Sequence, residues 1–347
     1  MANHDKAALN FPAFIKYQST WQFPGFRMEA RKIRSAELRT QGSKLALPAR
    51  ADFRGTVKIH GANATFVFRN HENLADVTIH SRNRVLDSGV GTGDKNGVAE
   101  FLAGVPLDRL AQSFFGTGKA KFKTLIIAGE FAGKEVDKGV GISRLERFFM
   151  VFNICVDDLW LYMGRLSGVA LPEYRIFNII NYKTFKVTIN LNAGTTAVER
   201  QMMEYTKEVA NECPVAKALG GSGAGEAIVW TMLVPIRHHR SRVLGFKTKS
   251  DIFSATAYAP RAPPAAPMTR EPNSVMDDFV NYALGQRRLE QGVEYMVEMG
   301  IPLKVENVKS FARWVTDDTL KEEAEQMKIM KAHPSLVCVK IGDLARY

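Results

Sequence analysis

Cysteine is scarce. Cys155, Cys213 and Cys338 are the only three in 347 residues, and no C-x-x-C occurs. That excludes a zinc ribbon and a thioredoxin-type pair. Three widely spaced cysteines fit a reducing compartment, where each is expected as a small buried hydrophobe, and the expected location is intracellular, in the cytoplasm. Long apolar runs are also missing. The most apolar stretch, Phe148 to Val156, is far short of the roughly 18 residues of a membrane span, so no membrane partner is expected. The first residues, MANHDKAALN, have no basic segment followed by an apolar one, so no secretory leader is expected.

Several catalytic signatures are absent. There is no G-x-x-x-x-G-K-[ST], which excludes a P-loop ATPase. Gly89, Gly91, Gly93 and Gly97 do not spell G-x-G-x-x-G. H-E-x-x-H does not occur, and G-x-S-x-G fails because Ala224 stands at its last position. His238 and His239 are adjacent, a poor arrangement for one metal. With Arg237, Arg240 and Arg242 they read as a basic loop.

What the chain does have is positive charge. Forty-seven Lys and Arg against 36 Asp and Glu leave +11, which favours a polyanionic partner. With 46% apolar and 24% charged residues the composition excludes global disorder, and the length suits about two domains. Five of the 14 prolines fall in residues 254–273, where neither a helix interior nor a central strand is expected. The expected division is therefore 1–253, a Pro-rich linker at 254–272, and 273–347. Before the linker, TVKIHGANATFVF, Val77-Ile79-Ser81 and Leu125–Ile127 read as strands. Thr196–Ala210 reads as an amphipathic helix. After it, Val275, Met276, Phe279, Val280 and Ala283 recur at helical spacing behind a Ser274/Asp277 capping box. Val305, Val308, Phe311, Ala312 and Val315 mark a second helix, and Thr319 with Glu322 is expected to cap a third.

Four short segments carry candidate chemistry. In Lys58-Ile59-His60-Gly61-Ala62-Asn63 a lysine ends a strand before a glycine turn. Such a lysine becomes a nucleophile if desolvation or a nearby cation lowers its pKa. In Gly129-Glu130-Phe131-Ala132-Gly133 a carboxylate is expected at a strand end, where it can receive ligand hydroxyls. In Gly223-Ala224-Gly225-Glu226 a glycine-rich loop delivers a carboxylate suited to divalent metal bound with phosphate. In Gly245-Phe246-Lys247-Thr248-Lys249 two lysines share one strand face and can meet one phosphate. Taken singly, each has an ordinary alternative: a surface lysine, a turn, a connector, a solvated strand face.

In this order the four segments resemble the motifs of the covalent nucleotidyltransferases, the superfamily of polynucleotide ligases and messenger-RNA capping enzymes. K-[IV]-H-G-x-N is similar to the first motif of ATP-dependent RNA ligases, above all the phage nick-sealing (RNA ligase 2) type and the trypanosome RNA-editing ligases. Lys138-Gly139-Val140 and Phe149–Ile154 extend the likeness, which runs from about Phe14 to Ser250. The resemblance implies an α+β fold: an adenylyltransferase domain of antiparallel sheets flanked by helices, then a small all-α domain. It implies ATP as cofactor, AMP carried covalently on Lys58, Mg²⁺ or Mn²⁺, and RNA as partner, as a nicked duplex or paired ends, with the protein a monomer. It assigns Lys247 and Lys249 to the α-phosphate and Glu226 to the metal. Arg82, with Arg84 as competitor, is assigned to the nucleotide or RNA end. Glu130 is assigned to ribose and Phe152 to stacking on adenine. His60, Gly61 and Asn63 complete the nucleophile loop. Three departures stand out: Ala227 in place of glycine, Thr231 near an expected lysine, and Asn153 in place of an acidic residue. Action on DNA or mixed nicks, and a non-catalytic binding role on a ligase scaffold, are the alternatives.

Overall fold

The computed structural model describes residues 17, 20–39, 47–86, 94, 96–115, 121–136, 138–192, 195–233, 244–250, 253 and 272–344. In chain order these form β1 (Trp21–Gln22), α1 (Phe23–Arg39), β2 (Arg50–Lys58), β3 (Ala62–Phe68), β4 (Val77–Ser81), β5 (Val85–Leu86), α2 (Val98–Leu102), α3 (Leu107–Phe115), β6 (Leu125–Ala132), β7 (Phe148–Val156), β8 (Leu159–Trp160), β9 (Ile176–Asn178), β10 (Thr184–Asn190), α4 (Thr196–Asn211), α5 (Pro214–Ala218), β11 (Ala227–Met232), β12 (Gly245–Lys249), α6 (Pro272–Ala283), α7 (Gln286–Glu298), α8 (Val308–Glu322), α9 (Ala324–Met330) and α10 (Pro334–Leu344). The basic loop of Arg237 to Arg242 and residues 254–271 of the proline-rich segment lie outside the described residues. No helix among the described residues is long and apolar enough to cross a membrane.

The fold is α+β. A five-stranded sheet runs β1-β12-β11-β2-β10, and a seven-stranded sheet runs β5-β4-β3-β6-β7-β8 with β9 beside β7. Pairing is antiparallel except for two short parallel contacts, β1 with β12 and β7 with β9. Alternation decides which face of the first sheet is buried. Ala51, Phe53 and Val57 on β2, Phe185, Val187 and Ile189 on β10, and Ile228 and Trp230 on β11 all point into one core. That core is closed by α1, α4, α5 and by Ala132, Phe148 and Met150 of the second sheet. The opposite face of the first sheet carries Lys58, Ala227, Lys247 and Lys249. The second sheet is covered on its far side by Leu102, Leu107, Leu110 and Ala111 of α2 and α3, so β6 is buried along its whole length.

The C-terminal helices have a core of their own, including Met276, Phe279, Val280, Val315, Met327, Val337 and Ile341. Two expectations fail here. Helix α6 begins at Pro272, so Ser274 sits inside its first turn, and proline at a first helical position costs no hydrogen bond. Thr319 is fully buried inside α8 and caps nothing, because that helix runs on to Glu322. A T-x-x-E spacing also fits one helix face, and there apolar contact on α8 prevailed over capping.

Candidate active site

The first sheet builds the site by register. Ala227 on β11 is paired with Lys58 on β2 and with Lys249 on β12, so the three form one row across the sheet. Directly paired residues share a face, and the small Ala227 side chain leaves room for the two lysines on either side. Lys247 lies two residues along β12, on the same face.

Glu226, immediately before β11, is where the row converges. Lys58 Nζ donates to its Oε2 at 2.5 Å and Lys249 Nζ to its Oε1 at 2.8 Å, and His60 Nδ1 lies 3.1 Å from Oε2. Glu226 is only 4% exposed. Burial pushes its carboxyl up, but Lys58, Lys249 and His60 together outweigh burial and hold it well below the usual carboxylate range. The loop before it is pinned by backbone bonds, Gly141 N–H to Ala224 O at 2.7 Å, Cys213 N–H to Gly223 O at 2.8 Å and Gly225 N–H to Val209 O at 2.8 Å. It is a fixed support and no mere connector.

The charge on Lys58 differs from the expectation. Burial acts to lower its pKa, but Glu226 and Glu130 more than offset this, and its ammonium is raised. Lys249, by contrast, is lowered, through burial and through the like charges of Lys247 and Lys58. Lys58 is held protonated for as long as Glu226 is its partner. Lys247 and Lys249 share a face as expected but end on different carboxylates, since Lys247 Nζ donates to Glu322 of α8 at 2.8 Å. Between them Thr248 points the other way and accepts from Trp230 Nε1 at 2.9 Å. It also shares a hydrogen bond with Thr206 at 2.7 Å, which ties the lysine strand to α4.

The second sheet supplies the neighbouring polar pocket. Asn63 on β3 is paired with Glu130 on β6. Glu130 lies inside β6, where a strand end was expected. Pairing there shifts register. Gly129 pairs with Val151 and Ala128 with Asn153, which leaves Phe152 as the extra, bulged residue of β7. A bulge re-aims a side chain, and Phe152 is turned against Tyr17, ring centroids 5.2 Å apart. Two glycines are dictated by close approach: a Cβ at Gly129 would come 2.2 Å from the Phe149 ring, and one at Gly61 would come 2.2 Å from the Phe131 carbonyl. Asn63 donates to the Gly129 carbonyl at 3.2 Å, while its buried Oδ1 has no hydrogen-bond partner among the described residues.

Burial raises the Glu130 carboxyl to about 7 despite the opposing charges of Lys58 and Arg82. Its folded pKa therefore exceeds its ordinary value of 4.5. Between those two pH values the folded state binds more protons than the unfolded state, so this group loses stability as pH rises through them. Glu130→Gln removes that loss. Denaturant melts are expected to shift in favour of the variant by about 3 kcal/mol between pH ~4.5 and ~8. A difference that does not change with pH contradicts the buried placement.

Arg82 follows β4 and is exposed, and its charge reaches Lys58, Glu130 and Tyr17. Thus the residues singled out in the sequence gather on one rim of the two sheets. Tyr17 was missed. Its hydroxyl accepts from Asn153 Nδ2, its ring packs edge-on to Phe152 and Trp160, and burial pushes its pKa up. Its sequence context, KYQSTW, offers no period or glycine turn to signal a site.

Among the described residues no three His, Cys, Asp or Glu side chains cluster to hold a metal ion. Glu226 is the carboxylate bonded to the lysine row, and its two oxygens are already shared by Lys58, Lys249 and the His60 ring. The donor set fits a hard cation such as Mg²⁺ only if that ion keeps most of its ligands from phosphate and water.

No family model matches the chain, and no curated protein matches it. Solved structures of Naegleria gruberi RNA ligase do. A lysine-to-alanine mutant with ATP and Mn aligns at 15% identity with a TM-score of 0.41, and the same ligase with pyrophosphate at 14% and 0.42. Each alignment covers 70% of this chain and 58% of that one, so this chain spans less than two thirds of the length of the ligase. Values of this size describe a loose likeness.

Proposed function

We propose that this chain is an ATP-dependent RNA ligase that joins a 3′-hydroxyl to a 5′-phosphate through a lysyl-AMP intermediate, in RNA repair. The observation that carries this reading is the single row Lys58–Ala227–Lys249 with Glu226 at its centre and Lys247 beside it. Three ammonium groups on one face fit a polyphosphate, and one of them stands at the turn that the sequence motif reserves for a nucleophile.

Lys58 attacks the α-phosphorus of ATP. A nitrogen–phosphorus bond forms, the bond to pyrophosphate breaks, and the amine loses a proton. Lys58 must first give up its contact with Glu226. Burial and the like charge of Arg82 then act to lower its pKa, opposed by Glu130. Lys247 and Lys249 hold the α-phosphate and stabilise the charge that grows there. Glu130 and Asn63 receive ribose hydroxyls, and Phe152 stacks on adenine. Glu226 would hold a divalent metal, which when bound would supply charge neutralisation at the departing pyrophosphate. AMP then passes to the RNA 5′-phosphate, with Arg82 on the RNA end, and the 3′-hydroxyl displaces it. The basic excess of the chain suits a phosphate-tracking surface. By the same reading residues 1–253 hold every group needed to form lysyl-AMP, and 273–347 fold as a separate helical domain.

The test is incubation with radiolabelled ATP and Mg²⁺, a denaturing gel, and side-by-side sealing of nicked RNA and nicked DNA duplexes. A label on the protein with preference for RNA supports the reading. Sealing of DNA alone, or no label, overturns it. Lys247→Met and Lys249→Met separate the phosphate role from a merely basic face. Each is expected to slow single-turnover labelling about a hundredfold or more while leaving RNA affinity nearly unchanged. If both instead only flatten the salt dependence of RNA binding, the lysines are a solvated surface.

A further inference from the structure

One carboxylate of the C-terminal helices lies against a lysine to which the proposed reaction assigns phosphate, and a second lies against the two residues that flank Arg82. Glu322, the last residue of α8, is bonded to Lys247, and the side chains of both are largely buried, at 15% and 12% exposed. Glu298, the last residue of α7, accepts from Ser81 Oγ at 2.7 Å and from Asn83 Nδ2 at 2.6 Å, and so brackets Arg82. Both glutamates stand at helix C-termini, where the macrodipole disfavours negative charge. Helix preference does not explain them, and the partners they meet do.

The two act as one body. Arg288 of α7 is buried to 1% exposure. It donates to Asp318 of α8 at 3.0 Å, to Glu323 at 2.7 Å and to the Ala283 carbonyl at the end of α6. This network and the separate apolar core of the helices hold Glu298 and Glu322 in fixed relation. The other contacts with the sheet region include Arg287 over the Phe253 ring at 5.2 Å and Lys328 against Met28. The two carboxylate contacts are charged or polar, and phosphate oxygens are chemically able to replace each of them.

We infer that the C-terminal helices form an acidic latch, in which Glu322 and Glu298 occupy phosphate positions at Lys247 and at residues 81–83, and which a polyphosphate must displace. This rests on the ligase reading for the identity of the anion but not for the latch itself. The Glu322 carboxyl is held down at about 2 mainly by Lys247, against the effect of burial, so it remains an anion at any working pH. A latch that is open a tenth of the time raises the apparent dissociation constant of its competitor about tenfold.

The experiment uses the full chain and the isosteric double variant Glu298→Gln/Glu322→Gln. Self-labelling is measured against ATP concentration. Hydrogen exchange of residues 296–300 and 319–324 is followed alone, with ATP, with pyrophosphate and with a 5′-phosphorylated RNA. The variant is expected to reach half-maximal labelling at about tenfold lower ATP and to exchange faster with no ligand present. In wild type, ATP or pyrophosphate raises exchange at 319–324, and RNA raises it at 296–300, which distinguishes the two sources of phosphate. Unchanged ATP dependence with unchanged exchange overturns the latch, as does a variant that folds but labels more slowly. Exchange that rises with pyrophosphate in a protein that never labels keeps the latch and rejects the ligase reading.

Discussion

Lys58→Ala is expected to abolish the label that the wild-type chain takes from ATP, by about a thousandfold or more, as removal of a covalent nucleophile does. The fold should survive it. Glu226 keeps Lys249 at 2.8 Å and His60 at 3.1 Å after Lys58 is gone, so no buried charge is left unpartnered. The expected change in stability is about 1 kcal/mol, well under the 3–5 kcal/mol of a broken buried pair. A denaturant melt beside the labelling gel separates the two effects. Full labelling by a folded Lys58→Ala protein sinks the assignment. Loss of label together with loss of fold leaves Lys58→Arg, which keeps the charge, as the deciding variant: it must fold and must not label.

The parts of this site that could be read from sequence are those with local causes. Lys58 and Gly61 announce a strand end and a turn, and Gly223 to Gly225 announce a loop ahead of a strand. Lys247 and Lys249 share a face because strands alternate. The charge state of Lys58 could not be read, since its partner Glu226 lies 168 residues away in sequence, and no local pattern pairs them. The bulge at Phe152 was equally hidden. Residues Phe148–Val156 are apolar apart from Asn153, and only the pairing of β6 with β7 shows where register slips. Glu130 was misplaced at a strand end for the same reason, because two flanking glycines look like a turn until Phe149 is seen packed over Gly129. Thr319 and Glu322 matched a capping pattern whose spacing a helix interior satisfies equally well. In fact Glu322 reaches across to Lys247, a contact visible only in three dimensions.

Glu226→Gln tests the arrangement most severely. The amide keeps the shape but removes the negative charge that holds Lys58 and Lys249 together. Two buried ammonium groups are then left facing a neutral group, which is expected to cost about 3–5 kcal/mol near neutral pH. Labelling is expected to fall at least about a hundredfold through loss of the aligned lysine pair. The pH dependence gives the test its sign. In wild type the depressed Glu226 carboxyl contributes stability that is present above its ordinary value of 4.5 and is lost as pH falls through its lower folded value. In the variant that contribution is gone. Burial, which already lowers Lys249, is then expected to bring Lys58 below its ordinary 10.5 as well, against the remaining attraction of Glu130. Between the folded and unfolded lysine values the unfolded chain binds more protons, so stability of the variant rises with pH there. The gap between wild type and Glu226→Gln should therefore narrow steadily from pH ~7 to ~10. A gap that stays constant across that range would mean that the lysines are not held by this carboxylate, and that the row across the sheet does not have the electrostatics on which the reaction depends.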